Sequence, residues 1–388
     1  MELEIVFFAG RSTGVARSGY SDLFGEMGIN VYQGQNFREL SVSENTERTL
    51  VILMLADPRF AQDCNKLKSM YPEALIGMVD FRGLAHLANL PANFDFGIVN
   101  SIEKELDFNS TFPDVESAIL IEFPKIPELV GFEKGKKDAN DLIVTYHGNL
   151  IHLNGAYNFF EGLSFLGYEL EREVTVKLVY DIKSLGIWSF FGDKFPNVKL
   201  DHIQWSRDNL SKAIMDCDFG ICPSLSPYKS FWDTGILSKN SFLTSKDDYL
   251  VRFKVASNMA RALIFFQFGK PIIAELNPSS VIAVGDNGER GALVHSSHSV
   301  AKAGKVILSM EKEYYTHRCR QFFESYLPEA QLPNLVNVIT RCVKEKSLQR
   351  KTTIRLAQKG FPWTYVFRHE IKVYFGKIMR KIFIWRKI

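Results

Sequence analysis

The stretch from Tyr249 to Glu275, YLVRFKVASNMARALIFFQFGKPIIAE, limits what the chain can fold into more than any other. It opens polar and basic (Arg252, Lys254, Ser257, Asn258, Arg261), runs apolar, stops at Gly269-Lys270-Pro271 and restarts as Ile272-Ile273-Ala274. A glycine just past a periodic segment reads as a helix C-cap, and a proline two residues on bars continuation. The short apolar run that follows reads as a buried strand. A helix feeding a parallel strand is the half-unit from which α/β proteins are built. Lys254, Ser257, Asn258 and Arg261 crowd the first turns of that helix, where unpaired N–H groups and the positive dipole end favour a phosphate. A basic helix start is also an ordinary solvated feature, and the stretch alone does not choose between the two readings.

The alternation continues through the chain. Residues 3–9 (LEIVFFA) read as a buried strand, followed by the glycine-rich turn Gly10–Gly14 and a helix to about Met27. Strands follow at Asn30–Gln33, Leu50–Leu55, Ala74–Val79, Phe94–Asn100 and Ser117–Phe123, with helices around Arg59–Met70 and Leu84–Leu90. Strands alternating with helices predict a parallel, doubly wound sheet covered on both faces. The polar run Glu133–Asn140 reads as a linker, after which the pattern begins afresh. Strands at Leu142–Tyr146, Thr175–Tyr180, Val198–His202 and Phe219–Cys222 alternate with helices at Gly155–Leu166 and Asp208–Met215. Short apolar pieces at Ile282–Val284 and Ala292–Val294 precede a helical stretch to Cys342. The expected fold class is α/β: two Rossmann-like domains, residues 1–137 and 138–345, facing across a cleft, then a tail of residues 346–388.

With 46% apolar and 23% charged side chains, 388 residues are enough to bury a core in each half. The five cysteines (Cys64, Cys217, Cys222, Cys319, Cys342) are odd in number and widely spread, which suits unpaired thiols in a reducing cytosol. The start, MELEIVFFAG, is acidic where a signal peptide is basic, and no apolar run is long enough for a transmembrane helix. From Lys346 onward there are twelve Lys and Arg against one acid, a charge of +11, which leaves the first 345 residues at −8. An acidic body is not the basic working face of a nucleic-acid enzyme, so no nucleic-acid partner is expected. In the tail, Val366, Ile371, Phe375, Ile378, Ile382 and Trp385 recur three or four residues apart, with Lys and Arg between them. That pattern predicts a basic amphipathic helix lying in an anionic membrane interface. A terminal helix packed on the acidic body is the alternative.

Ligands of doubly wound sheets sit at the carboxyl ends of the strands. In the second domain those ends supply His147, Gly148, Asn149 and Glu275, beside the helix start at Lys254, Ser257, Asn258 and Arg261. Gly148 allows close backbone approach, the cations can neutralise a diphosphate, and Glu275 can accept from sugar hydroxyls. The first domain offers the loop residues Arg11, Ser12 and Gly14, then Asp57, Asp80 and Arg82. Asp57 and Asp80 are candidate general bases acting on a hydroxyl, or caps of the helices that follow them. His147 either faces the cleft or simply ends its strand. The Gly10–Gly14 turn has neither the P-loop nor the dinucleotide-binding pattern. His295 and His298 lack accompanying acids or cysteines, so no metal site is expected.

Several of these segments, in this order, resemble the GT-B glycosyltransferases, which build two Rossmann domains around a nucleotide sugar. Ile143–Asn149 resembles the first strand and turn of their donor domain, and Trp205 through Asp216-Cys217-Asp218-Phe219-Gly220-Ile221-Cys222-Pro223-Ser224 a following segment that ends in a strand. Phe253–Asn258 through Phe268–Ala274 resembles their diphosphate-binding helix and next strand, and Phe96–Ser101 with Ile119–Pro124 the end of the acceptor domain. The resemblance spans roughly residues 1–345. It implies donor-diphosphate contacts at Gly148, Asn149, Lys254, Ser257 and Asn258, no cofactor beyond the nucleotide sugar, and no metal. The helix of Ser257–Gln267 lacks the glutamate that many retaining members carry there, which leaves retention or inversion open. The implied activity is sugar transfer to a hydroxyl of a lipid-linked or cell-envelope glycan, in a cytoplasmic protein held peripherally on the inner face of the cell membrane. A non-catalytic scaffold of the same fold and a nucleotide-sugar 2-epimerase are the rival expectations.

Overall fold

The structure, a computed structural model, describes residues 2–9, 15–32, 48–57, 59–81, 93–129, 141–149, 153, 157–182, 195–223 and 259–348. Apolar strands without polar alternation need cover on both faces, and parallel sheets provide it. β1 (Glu2–Phe8), β2 (Asn30–Tyr32), β3 (Arg48–Leu55), β4 (Leu75–Val79), β5 (Phe96–Val99) and β6 (Glu116–Ile119) form one six-stranded parallel sheet in the order β2-β1-β3-β4-β5-β6. β7 (Leu142–His147), β8 (Val174–Tyr180), β9 (Val198–Gln204), β10 (Phe219–Cys222), β11 (Ile272–Glu275) and β12 (Gly291–Val294) form a second, ordered β12-β11-β10-β7-β8-β9. Every residue of β4, β5, β7, β10 and β11 is buried, as expected of central strands.

The helices are α1 (Val15–Glu26), α2 (Phe60–Met70), α3 (Ile102–Thr111), α4 (Tyr157–Leu170), α5 (Arg207–Asp216), α6 (Ala260–Gln267), α7 (Pro278–Val284), α8 (Ser297–Ser309), α9 (Lys312–Glu324) and α10 (Pro328–Leu348). The first sheet is sandwiched between two apolar clusters. One holds Phe60, Phe81, Phe94, Phe108 and Phe112, and the other holds Phe7, Tyr20 and Phe24. Fully burying one such ring contributes about 1.5–3 kcal/mol. A single cluster runs through the second domain.

Three details depart from the pattern read in the sequence. α3 was not foreseen; Ser101 caps it by accepting from Lys104 N at 3.1 Å, and Glu103 and Glu105 lie in its first turn. Ile282–Val284 belongs to a helix, α7, capped by Asn277 with Pro278 at its start. β6 stops at Ile119, short of Phe123. Beyond it the Gln331 carboxamide accepts from Ile121 N at 2.7 Å and donates to Ile121 O at 3.1 Å, taking the place of a ladder partner. Gln267 holds Ile126 in the same two-sided way. These two clamps fix the segment that leads out of the first domain. α10 then returns to it: Leu335, Val338, Ile339 and Cys342 complete the cluster around Phe7 and Tyr20.

Candidate functional site

In the second sheet β7 is flanked by β8 on one side and β10 on the other, so chain order reverses there. Ligands of open α/β sheets bind at the carboxyl ends of the strands at such a switch point. β7 ends in His147 and turns at Gly148, whose φ of 132° is open to glycine and strained for other residues. A Cβ there would lie 3.2 Å from Tyr146 Oη and 3.3 Å from Arg261 Cδ. The Tyr146 hydroxyl closes the turn by donating to Asn149 O at 2.7 Å.

Arg261 comes to this point from the first turn of α6. Its Nη1 donates to Pro223 O at 3.1 Å, just past β10, and its own carbonyl accepts from His147 Nε2 at 3.2 Å. A carbonyl can only accept, so Nε2 carries the proton. Burial is the main cause that pushes the His147 pKa down to about 3, and its ring lies 5.2 Å from that of Phe265. His147 is therefore a neutral strand-end residue that anchors α6, and Arg261 is the charge brought to the switch point. A guanidinium has five N–H donors, of which Pro223 O takes one. The neighbouring Cys222 thiol is pushed up to about 11, chiefly by burial, and stays protonated at neutral pH.

The motif residues around these strands hold the frame. Asp218 accepts from Ile143 N at 2.9 Å, tying β10 to β7, and the buried Lys270 donates to Cys217 O. Gly269 ends α6 with φ 66°, its N–H bonded to Phe266 O at 2.9 Å, which is the helix stop expected from Gly-Lys-Pro. Glu275 is buried at the end of β11. Asn277 donates to the Glu275 carbonyl at 3.1 Å and accepts from Ser280 N at 2.8 Å, capping α7.

At the carboxyl edge of the first sheet, Asp57 follows β3 and Asp80 follows β4. Asp57 Oδ1 accepts from Arg59 N at 2.8 Å, shaping the entry to α2. Asp80 is 5% exposed, takes a left-handed φ of 60°, and accepts from Asn100 Nδ2 at 3.3 Å. A non-glycine residue in that region costs of order 1–3 kcal/mol, and such strain gathers at functional sites. Asn100 Oδ1 is buried without a hydrogen-bond partner. Sequence reasoning did not single out Asn100, although a polar pair at a strand end, Asn100-Ser101, was the available signal.

Lys254, Ser257, Asn258, Arg11, Ser12, Gly14 and Arg82 lie outside the described residues, as do residues 349–388 of the tail. His298 packs its ring 5.2 Å from that of Phe165. Among the described residues no three His, Cys, Asp or Glu side chains converge as for a metal, and no helix is long and apolar enough to cross a membrane.

No family model and no curated protein matches the chain. Solved structures do. The N-terminal domain of trehalose-6-phosphate phosphatase from Candida albicans is similar with a TM-score of 0.52 at 11% identity, over 85% of this chain and 78% of that one. Alr3699/HepE from Anabaena, solved in complex with UDP, is similar with a TM-score of 0.50 at 12% identity, over 90% of this chain and 100% of that one. Two six-stranded parallel sheets with helices on their faces, matched over most of the chain, give this protein the GT-B fold.

Proposed function

We propose that the protein is a glycosyltransferase that moves a sugar from a nucleoside-diphosphate sugar to a hydroxyl of a lipid-linked or cell-envelope glycan. The observation that carries this reading is Arg261, a cation placed on the ends of β7 and β10 beside the open turn at Gly148. A diphosphate seated there would meet that guanidinium, the first N–H groups of α6, and Lys254, Ser257 and Asn258 just upstream in the chain. Fixed donors aimed at the leaving diphosphate stabilise the charge that develops on it. Glu275 would accept from sugar or ribose hydroxyls. As the acceptor oxygen bonds to the anomeric carbon and the bond to the diphosphate breaks, the hydroxyl proton would pass to Asp80, or to Asp57, in an inverting transfer. Arg11, Ser12, Gly14 and Arg82 would line the acceptor side, and the tail would hold the enzyme on the inner face of an anionic membrane. UDP bound to the Anabaena protein of the same fold supports a uridine nucleotide as the first donor to test.

A thermal-shift screen of UDP, GDP, ADP and their sugars tests the reading. A ligand at 100 times its dissociation constant adds about 2.7 kcal/mol of stability. No shift with any nucleotide would overturn it. With a donor in hand, Asp80→Asn should abolish turnover and leave nucleotide affinity intact; normal turnover in both Asp80→Asn and Asp57→Asn would exclude these two as the base.

A further inference from the structure

Glu103 belongs to the first domain and Ser279 to the second, yet the two are bonded. Glu103 lies in the first turn of α3, directly after β5, and Ser279 in the first turn of α7, directly after β11. Its Oε1 accepts from Ser279 N at 3.1 Å and its Oε2 from the Ser279 hydroxyl. The first N–H groups of a helix have no partner within it, and its N-terminal dipole favours an anion. In α7 they are shared out completely: Pro278 has no N–H, Ser280 N bonds to the Asn277 side chain, and Val281 N bonds to the Asn277 carbonyl. Ser279 N is the donor left over, and a carboxylate from the other domain takes it. Ser279 is 2% exposed and Glu103 half-buried, so the junction is partly shielded from water. Both residues follow the carboxyl ends of their strands, so the bond joins the two edges that would hold donor and acceptor. The segment leading from one domain to the other is held separately, at Ile121 by Gln331 and at Ile126 by Gln267.

We infer that Glu103 is a positioning residue: through Ser279 it holds the corner between β11 and α7 against the first domain. On the proposed function, this would set the distance between the donor side at Glu275 and Arg261 and the acceptor side at Asp80. This rests on the proposed donor site in the second domain. Glu103 touches no substrate; it sets how far apart the two halves of the site stand. Moving the two edges apart would break both bonds, so they hold only while α3 and α7 stand side by side.

Small-angle scattering and UDP titration of the full-length protein and its Glu103→Ala, Glu103→Gln and Ser279→Asp variants test this. Glu103→Ala should raise the radius of gyration without lowering the melting temperature of either domain. Glu103→Gln, which keeps one oxygen to accept from Ser279, should restore the wild-type value. Turnover of a UDP-sugar by Glu103→Ala should fall about tenfold or more, because misplacement of reacting groups by about 1 Å can cost a hundredfold. UDP affinity, set within the second domain, should stay the same. Wild-type scattering from Glu103→Ala would overturn the inference even if UDP binds normally. An expanded Glu103→Ala together with a wild-type protein that binds none of UDP, GDP, ADP or their sugars would instead overturn the donor-site reading. Should Glu103→Ala fail to fold, Ser279→Asp, which sets a second carboxylate against that of Glu103, decides, with expansion supporting the inference and wild-type scattering overturning it.

Discussion

A guanidinium offers a planar fork of donors where an ammonium offers a point charge. Arg261→Lys and Arg261→Ala therefore separate shape from charge at the switch point. Hydrogen bonds to charged groups contribute about 1.5–3 kcal/mol, so Arg261→Ala should weaken nucleoside-diphosphate binding roughly ten- to a hundredfold, with Arg261→Lys between. Titration calorimetry on the folded variants checks this; unchanged affinity in both would remove Arg261 from the site. His147 makes a different prediction. Its pKa is lowered from 6.5 to about 3 in the folded protein, first by burial. Above pH 6.5 it is neutral whether the chain is folded or not. Below that, the unfolded chain takes up a proton that the folded protein refuses until about pH 3, so stability falls as pH falls through this window. At about pH 5 the loss approaches about 2 kcal/mol. Urea midpoints at neutral pH and about pH 5 should therefore diverge more for wild type than for His147→Gln; equal divergence would place the pH dependence elsewhere.

Elements explain why some positions tolerate nothing else. Gly269 sits between α6 and β11 at φ 66°, and a Cβ there would stand 2.7 Å from Thr316 Cγ2 on α9. Gly269→Ala should cost about 1–3 kcal/mol and lower the melting temperature, since strain at the turn adds to a contact that must give. A melting temperature equal to wild type would mean that the turn relaxes without cost. This stop was legible in sequence because glycine, lysine and proline act locally. α3 was not: its only signals, a Ser cap and two acids in the first turn, are weak beside the apolar rhythm of the strands around it. The end of β6 was illegible for another reason. Leu120 and Ile121 are as apolar as the strand, but the partner of Ile121 is a glutamine 210 residues away.

At the scale of the whole molecule, α10, the last described helix, packs into the core of the first domain. Truncation after residue 360 should leave that core intact, whereas truncation after residue 327 removes Leu335, Val338, Ile339 and Cys342 from it and should destabilise the first domain. The tail itself carries the proposed membrane contact. Anionic lipid offers about 1 kcal/mol per basic residue near its surface. The truncation after residue 360 should thus release the protein from anionic vesicles, and salt should weaken binding of the full chain. Equal sedimentation of both proteins with anionic vesicles would refute that role. The ion pair between Arg207 and Asp22, 2.9 Å apart, also crosses between the domains, but both side chains are about half exposed. Such pairs contribute about 0–1 kcal/mol, so the part-buried, two-pronged bond of Glu103 to Ser279 is the stronger candidate for setting the cleft.

Apolar runs, glycines, prolines and the order of motifs were enough to determine two doubly wound halves and the stop at Gly269. These signals are local: strand burial, helix capping and turn conformation depend on neighbours in the chain. Only the tertiary structure decided that His147 turns inward to anchor α6 while Arg261 reaches the switch point. It alone revealed that Gln331 and Gln267 grip the connecting segment and that Glu103 caps a helix of the other domain. Each of those depends on which polar group, far away in sequence, is left without a partner once the backbone has folded. Residue spacing carries no record of that pairing, because it arises from the meeting of two finished surfaces.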